Sequence, residues 1–206
     1  MLTAVFEESN TFRKIVDSIK ELVPQVNFQA SPNGISLQAM DSAHVSLVAM
    51  NLGADSFKKY RCDQEFVLGI NLNDLSKILK MASNDDQLSI LANSQESYLT
   101  IHFENSKKDQ ESKCQLNLLS IENDNLNIPE TEYPTVVGMS SSSFFKICKD
   151  FTSFSEVLQL DIKEKSASFK YTGKNGSGEK KFKNNKGDSD EDTFEIKCQE
   201  EISSKF

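Results

Sequence analysis

The sequence is poor in several features that would assign it quickly. It has no excess of positive charge: 23 lysines and arginines stand against 31 acidic residues, a formal net charge of −8. Taken alone, that balance argues against a polyanionic partner. Its four cysteines, at 62, 114, 148 and 198, are far apart and form no C-x-x-C pair. This excludes a zinc ribbon and reads as reduced, mostly buried thiols of a cytosolic or nuclear protein. The N-terminus MLTAVFEESN has neither a charged n-region nor a small-residue cleavage site, and no apolar run approaches a membrane span, so an intracellular protein is expected. The segment GKNGSGEKKFK (173–183) lacks the G-x-x-x-x-G-K-[ST] spacing of a phosphate-binding loop and reads as a hairpin turn leading into a strand. The acidic run GDSDEDTFE (187–195) lacks the glycine and glutamate spacing of a calcium loop and reads as a solvated loop. No metal site and no cofactor is expected.

What is present is alternation. SYLTIHFE (97–104) and SKCQLNLL (112–119) carry the period of half-buried antiparallel strands, and most segments between loops do the same. Three segments have helical period instead. One stripe is Phe12, Ile15, Val16, Ile19, Leu22 and Val23, with Ser9 or Asn10 as N-cap; the second is Leu72, Leu75, Ile78, Leu79 and Ala82; the third is Phe144, Ile147, Cys148 and Phe151. Helices over 11–23, 73–82 and 141–150, laid on sheets, are expected.

The chain also repeats itself. FRKIV at Phe12 and FFKIC at Phe144 are offset by 132 residues, and the same offset carries NFQASPNGISLQ onto QLDIKEKSASFK. Phe28 then matches Leu160, Ala30 matches Ile162, Ile35 matches Ala167 and Leu37 matches Phe169. Two copies of one helix-plus-sheet unit follow, and on this offset position 206 corresponds to position 74, so the second copy is expected to stop before the partner of the second helix. Between the copies, SIENDNLNIPETEYPTVV (120–137) fits neither period and reads as an extended connector.

Charge is sorted along this pattern. The three expected helices hold seven basic and four acidic residues, a balance of +3, which leaves −11 elsewhere. Arg13, Lys14 and Lys20, Lys77 and Lys80, and Lys146 and Lys149 lie opposite the apolar stripes, the last two pairs at the i,i+3 spacing of one helix face. Such a layer binds phosphate charge without reading bases.

LQAMDSAHVSL (37–47) brings Asp41, Ser42 and His44 close together, the residue types of a serine hydrolase. Near-consecutive positions cannot form that relay, whose groups converge from separate parts of a fold. A continuous strand would also point the Asp41 carboxylate into the core, so a loop at 41–44 between two strands is expected. Alternation alone makes Val45 and Leu47 core residues and puts His102 on the polar surface of its strand.

LQAMDSAHVSLVAMNL, YRCD (60–63), GINLNDLSKILK (69–80), LNIPETEYPTVV (126–137) and FFKICKD (144–150) together resemble the proliferating cell nuclear antigen family of eukaryotic sliding clamps. The resemblance runs nearly without gaps from Met1 to Phe206. It implies an α+β clamp fold of two similar domains, residues 1–118 and 136–206 joined by a connector over 119–135, the second domain being C-terminally short. It further implies a non-catalytic homotrimeric ring around double-stranded DNA. That ring would be a nuclear processivity factor for a DNA polymerase, with a clamp loader and replication and repair proteins as partners; a checkpoint-type paralogue or interaction scaffold is the alternative.

By position, the resemblance assigns DNA contact to Arg13, Lys14, Lys20, Arg61, Lys77, Lys80, Lys146 and Lys149, with Arg61 to Lys80 as the family's basic stretch. It assigns a pocket for short helical plugs with aromatic and aliphatic anchors to Met40, His44, Val45, Leu47, Leu126, Ile128, Pro129 and Tyr133. Edge-to-edge pairing between subunits falls to Lys113, Cys114, Leu116 and Leu118 on one side and Ser177, Glu179, Lys181 and Lys183 on the other. Glu164, flanked by Lys163 and Lys165, stands where the family has a back-face lysine that is modified.

Overall fold

The computed structural model describes residues 1–105, 107–122, 126, 131–185 and 193–206. The chain divides into two compact units, Met1–Ile128 and Pro129–Phe206.

The first unit contains β1 (Leu2–Phe6), α1 (Ser9–Ile19), β2 (Gln25–Ser31), β3 (Gly34–Met40), β4 (Leu47–Gly53), β5 (Lys59–Cys62), β6 (Phe66–Asn71), α2 (Leu72–Leu79), β7 (Gln87–Ala92), β8 (Tyr98–Asn105) and β9 (Gln110–Asn117). The strands make two antiparallel sheets, ordered β5-β1-β7-β8-β9 and β4-β3-β2-β6. Phe12 and Val16 of α1, Leu72, Leu75 and Leu79 of α2, and the inward residues of both sheets form one core. The apolar stripe of α2 therefore faces the core as expected and that of α1 does so in part, not at Leu22, while the ends of both helices differ from those expected. Helix α1 stops at Ile19 with Lys20 as its C-cap, and Leu22 is exposed in the turn before Pro24. Glu8 is the N-cap residue of α1 and makes no side-chain cap bond. Ser9, expected to cap, is buried and donates its hydroxyl to the Ser83 carbonyl at 2.8 Å. Helix α2 is capped by Asn71, whose side chain accepts from the amides of Asn73 and Asp74, and it ends with Lys80 as C-cap.

The second unit contains β10 (Thr135–Met139), α3 (Ser141–Thr152), β11 (Gln159–Lys163), β12 (Ser166–Gly173), β13 (Gly176–Lys183), β14 (Phe194–Cys198) and β15 (Ile202–Lys205). Here β10 pairs with β14, and β13-β12-β11-β15 form a four-stranded sheet. Ile147, Ile162, Ala167, Phe169, Phe194 and Ile196 make its core. The repeat is visible in the ladder itself: Phe28 pairs with Leu37 and Ala30 with Ile35 in the first unit, and Leu160 pairs with Phe169 and Ile162 with Ala167 in the second. The matched positions are thus the same cross-strand pairs of the same hairpin. The 132-residue offset does not hold to the end, because Cys62 and Cys198, which close the ladders against β1 and β10, are 136 residues apart. By that spacing position 206 corresponds to position 70, within β6.

One expected stripe is only partly inward. In α3, Ile147 is fully buried, but Phe144 is 46% exposed and meets Phe169 edge-on. The segment read as a hairpin is one, with Gly173 opposite Gly176 across a two-residue turn. All four cysteines are free, yet only Cys62 is buried; Cys114, Cys148 and Cys198 are half-buried, on an edge strand, a helix flank and a strand end. Of the acidic run, residues 187–192 lie outside the described residues. Among the described residues no helix is long and apolar enough to cross a membrane.

Candidate DNA-facing and partner-docking surfaces

The basic residues differ in what holds them. Lys20 is bonded to Asp17 Oδ1 at 2.6 Å and to Ser76 Oγ at 3.1 Å, and Ser76 donates to the same carboxylate oxygen at 2.8 Å. This triangle joins the end of α1 to α2 and leaves the Lys20 side chain 15% exposed. The Asp17 hydrogen bond raises the Lys20 pKa, and that of Asp17 is lowered chiefly by the same bond. Arg13 bonds the side-chain oxygens of Asn10 and Asn84, Arg61 pairs with Asp63, and Lys77 pairs with Asp74 one turn earlier. Lys14 and Lys80 in the first unit, and Lys146 and Lys149 in the second, are exposed and make no ion pair among the described residues. These four have the most freedom to meet an incoming phosphate. Paired exposed cations are not lost to that role, since surface ion pairs contribute only about 0–1 kcal/mol and exchange partners readily.

The stretch that resembles a hydrolase site is a loop. Strand β3 ends at Met40 and β4 begins at Leu47, with Met40 and Leu47 directly opposite each other. Asp41 Oδ1 accepts from the amides of Val45 and Ser46, both at 2.8 Å, and His44 takes φ 55° inside the turn. The Ser46 and Val45 amides hold the Asp41 pKa below the ordinary carboxylate value, because they bond to the charged form. The carboxylate thus shapes a turn.

This turn overturns one expectation. Val45 is 83% exposed and Leu47 is exposed, whereas Val48, Met50 and Leu52 pack on the core. Six residues, Asp41 to Ser46, separate the paired ends, and an even-numbered loop puts even positions of β4 opposite odd positions of β3. Ala39 therefore faces Val48, and Leu47 points outward. Met40 is half-buried, His44 and Leu126 are exposed, and Tyr133 is 75% exposed in the second unit; Ile128 and Pro129 lie outside the described residues. His102 is not plain surface: it is half-buried, with Nε2 3.4 Å from a Glu111 carboxylate oxygen.

The two strands expected to pair between subunits are both edges of their sheets and, at eight residues each, the longest edge strands described. On β9, Lys113 is exposed, while Cys114 and Leu116, with Leu118 just beyond, are half-buried against the core. On β13, Ser177, Glu179, Lys181 and Lys183 are all exposed on one side, and Glu179 lies 3.7 Å from Lys170.

Three residues that the sequence reading passed over hold the segment after β9. Leu119 bonds Gly69 through its amide at 2.8 Å, and a Cβ at Gly69 would sit 2.1 Å from the Leu119 carbonyl oxygen. Asn27 donates to the Ile121 carbonyl at 3.0 Å. Gln38 donates to the Leu126 carbonyl at 2.8 Å and accepts from its amide at 2.6 Å. A glycine inside the strand pattern FVLGIN is the signal that marks such a close approach; Asn27 and Gln38 carry none, being ordinary polar members of alternating strands.

Two units on one helix-plus-sheet plan, each showing free lysines on its helices, define the DNA-clamp class of fold. Residues 1–126 match the family model for the proliferating cell nuclear antigen N-terminal domain, and residues 127–206 match that for its C-terminal domain. The proliferating cell nuclear antigen of Chaetomium thermophilum is 37% identical over 207 aligned residues, covering 100% of this chain and 80% of that protein. The chain belongs to the proliferating cell nuclear antigen family.

Proposed function

We propose that this protein works as a homotrimeric sliding clamp in the nucleus. Three copies close head to tail, β9 of one subunit adding to β13 of the next, and the ring holds duplex DNA against α1, α2 and α3. Enclosure makes it a processivity factor for a replicative polymerase and, once placed by a clamp loader, a platform for replication and repair proteins. Those partners dock short helical plugs on the first unit, around Met40, His44, Val45, Leu47 and Leu126.

The observation that carries this reading is the sorting of charge. In a chain of net −8, free exposed lysines recur on helices of both units. Uniform phosphate contacts of this kind exchange at little cost as a ring moves, and they carry no base specificity. Two long edge strands, one basic through Lys180, Lys181 and Lys183, also need cover, and pairing in a closed ring covers both at once.

Light scattering on the purified chain tests the assembly. The expected mass is three times the 23.1 kDa of one chain. A folded chain, verified by circular dichroism, that stays at the single-chain mass up to high micromolar concentration would contradict the ring.

A further inference from the structure

On the face of the β4-β3-β2-β6 sheet turned away from the core, the chain after β9 is held at two points, Ile121 and Leu126, while Ala49, Asn51 and Val67 of the same sheet stay exposed. Val26, Phe28 and Ala30 of β2 and Ile35 and Leu37 of β3 point into the core, so Asn27 and Gln38 stand on the opposite side. There they bind Ile121 and Leu126, and every one of these bonds goes to main-chain atoms. The Gln38 amide donates and accepts at one residue, which is what the peptide group of a neighbouring strand would do. Its hold is therefore independent of the side chain at 126, and Leu126 remains 43% exposed. Gln38 is two residues before Met40 on the same strand, hence on the same face. The bidentate bond thus ties the Leu126 edge of the proposed peptide site to the Met40 edge.

The repeat shows that this clamp is not a general property of the fold. In the second copy the 132-residue offset places Gln159 at the position of Asn27 and Lys170 at that of Gln38. Lys170 is engaged by two carboxylates of its own sheet, Asp161 at 2.6 Å and Glu179 at 3.7 Å, and Gln159 bonds Asp161. At these two repeated positions, main-chain capture by a side-chain amide is thus made in the first unit and not in the second.

We infer that Gln38, aided by Asn27, is a positioning residue for partner docking: it fixes the main chain at Leu126 on the sheet, so one wall of the site is formed before a peptide arrives. The inference rests on the peptide-docking reading above. Without the clamp, the segment must be ordered during binding, and that cost is subtracted from affinity.

The test uses the full chain and a fluorescent synthetic peptide that carries aliphatic and aromatic anchors on a short helical turn. The Gln38→Ala variant should bind it about three- to tenfold more weakly, the loss expected when two hydrogen bonds of modest net strength no longer pre-order the segment. Amide exchange over 119–126 should rise in the free protein, while the urea midpoint stays in place because Gln38 is outside the core. Gln38→Glu, which keeps the acceptor for the Leu126 amide and loses the donor, should fall between the two. Unchanged affinity and unchanged exchange in Gln38→Ala, with wild type binding the peptide, would overturn the inference alone. A lowered urea midpoint with both of those unchanged would overturn it as well, by showing a merely structural role. Failure of the wild-type chain to bind the peptide would remove the docking reading and this inference with it.

Discussion

Replacing Lys14, Lys80, Lys146 and Lys149 together with glutamine should flatten the salt dependence of DNA binding more than any other surface change of equal size. Each lysine that neutralises a phosphate contributes about 0.9 to the slope of log K against log salt, so the combined variant should lose about 3 to 4 from that slope for every subunit in contact. These four are chosen because they are exposed and make no ion pair among the described residues. Lys20, held by Asp17 and Ser76, should contribute less when changed alone than Lys14 or Lys80 does. Loss should be uniform across DNA sequences, since contacts from lysine to phosphate carry no base information. Lys163, at the end of β11, and Lys165, in the turn that follows, are both exposed and provide the control, and glutamine at both should leave the slope unchanged. The measurement is a salt titration of binding to a fluorescent duplex; equal slopes for wild type and the fourfold variant would remove the helices as the DNA-facing layer.

The largest stability effect is expected at Phe12. It is 3% exposed, stacked on Phe6 at 5.0 Å between ring centroids and tilted against Phe28 at 6.3 Å. Phe12→Ala should cost about 3–5 kcal/mol, the usual range for deleting a buried aromatic ring. That is a large share of the roughly 5–15 kcal/mol by which domains are stable. Phe144, its counterpart in the repeat, is 46% exposed with a single edge-on contact to Phe169. Phe144→Ala should cost about 1 kcal/mol, because much of its ring is already hydrated. Urea denaturation followed by circular dichroism compares the two. Equal costs would mean that the repeated positions share a packing role, contrary to the burial seen here.

That contrast shows what kind of information the sequence carried. Period two and period 3.6 located the strands and helices, because core-facing residues must recur at the spacing of the backbone. The repeat even placed the hairpin pairs, Phe28 with Leu37 and Leu160 with Phe169, since a shared offset preserves cross-strand register. Depth was not legible: the same residue at the same helical position is buried in α1 and half out in α3, because depth depends on what the rest of the unit lays over it. Parity was lost at the Asp41–Ser46 turn, where loop length decides which face Val45 and Leu47 present and alternation cannot count across the loop. Partners distant in sequence were also hidden. Nothing near Lys20 announces Ser76, and nothing near Gln38 announces Leu126, 88 residues further on.

The proposed peptide site illustrates both sides. Leu126 and Val45 were assigned to it through family resemblance, but the exposure of Val45 goes with the turn that the Asp41 carboxylate shapes by accepting from the Val45 and Ser46 amides. The residues that seat the Leu126 main chain came only from the three-dimensional arrangement.

Retention on DNA of different topology tests the central claim most directly. The protein is loaded onto nicked circular plasmid with a clamp loader, and free protein is removed at a salt concentration that abolishes simple electrostatic binding. The circle is then cut once with a restriction enzyme. A closed ring threaded by the duplex stays on the circle and runs off the new ends within minutes. Equal retention before and after cutting, or no retention on the circle at that salt, would contradict a clamp that holds DNA by enclosing it.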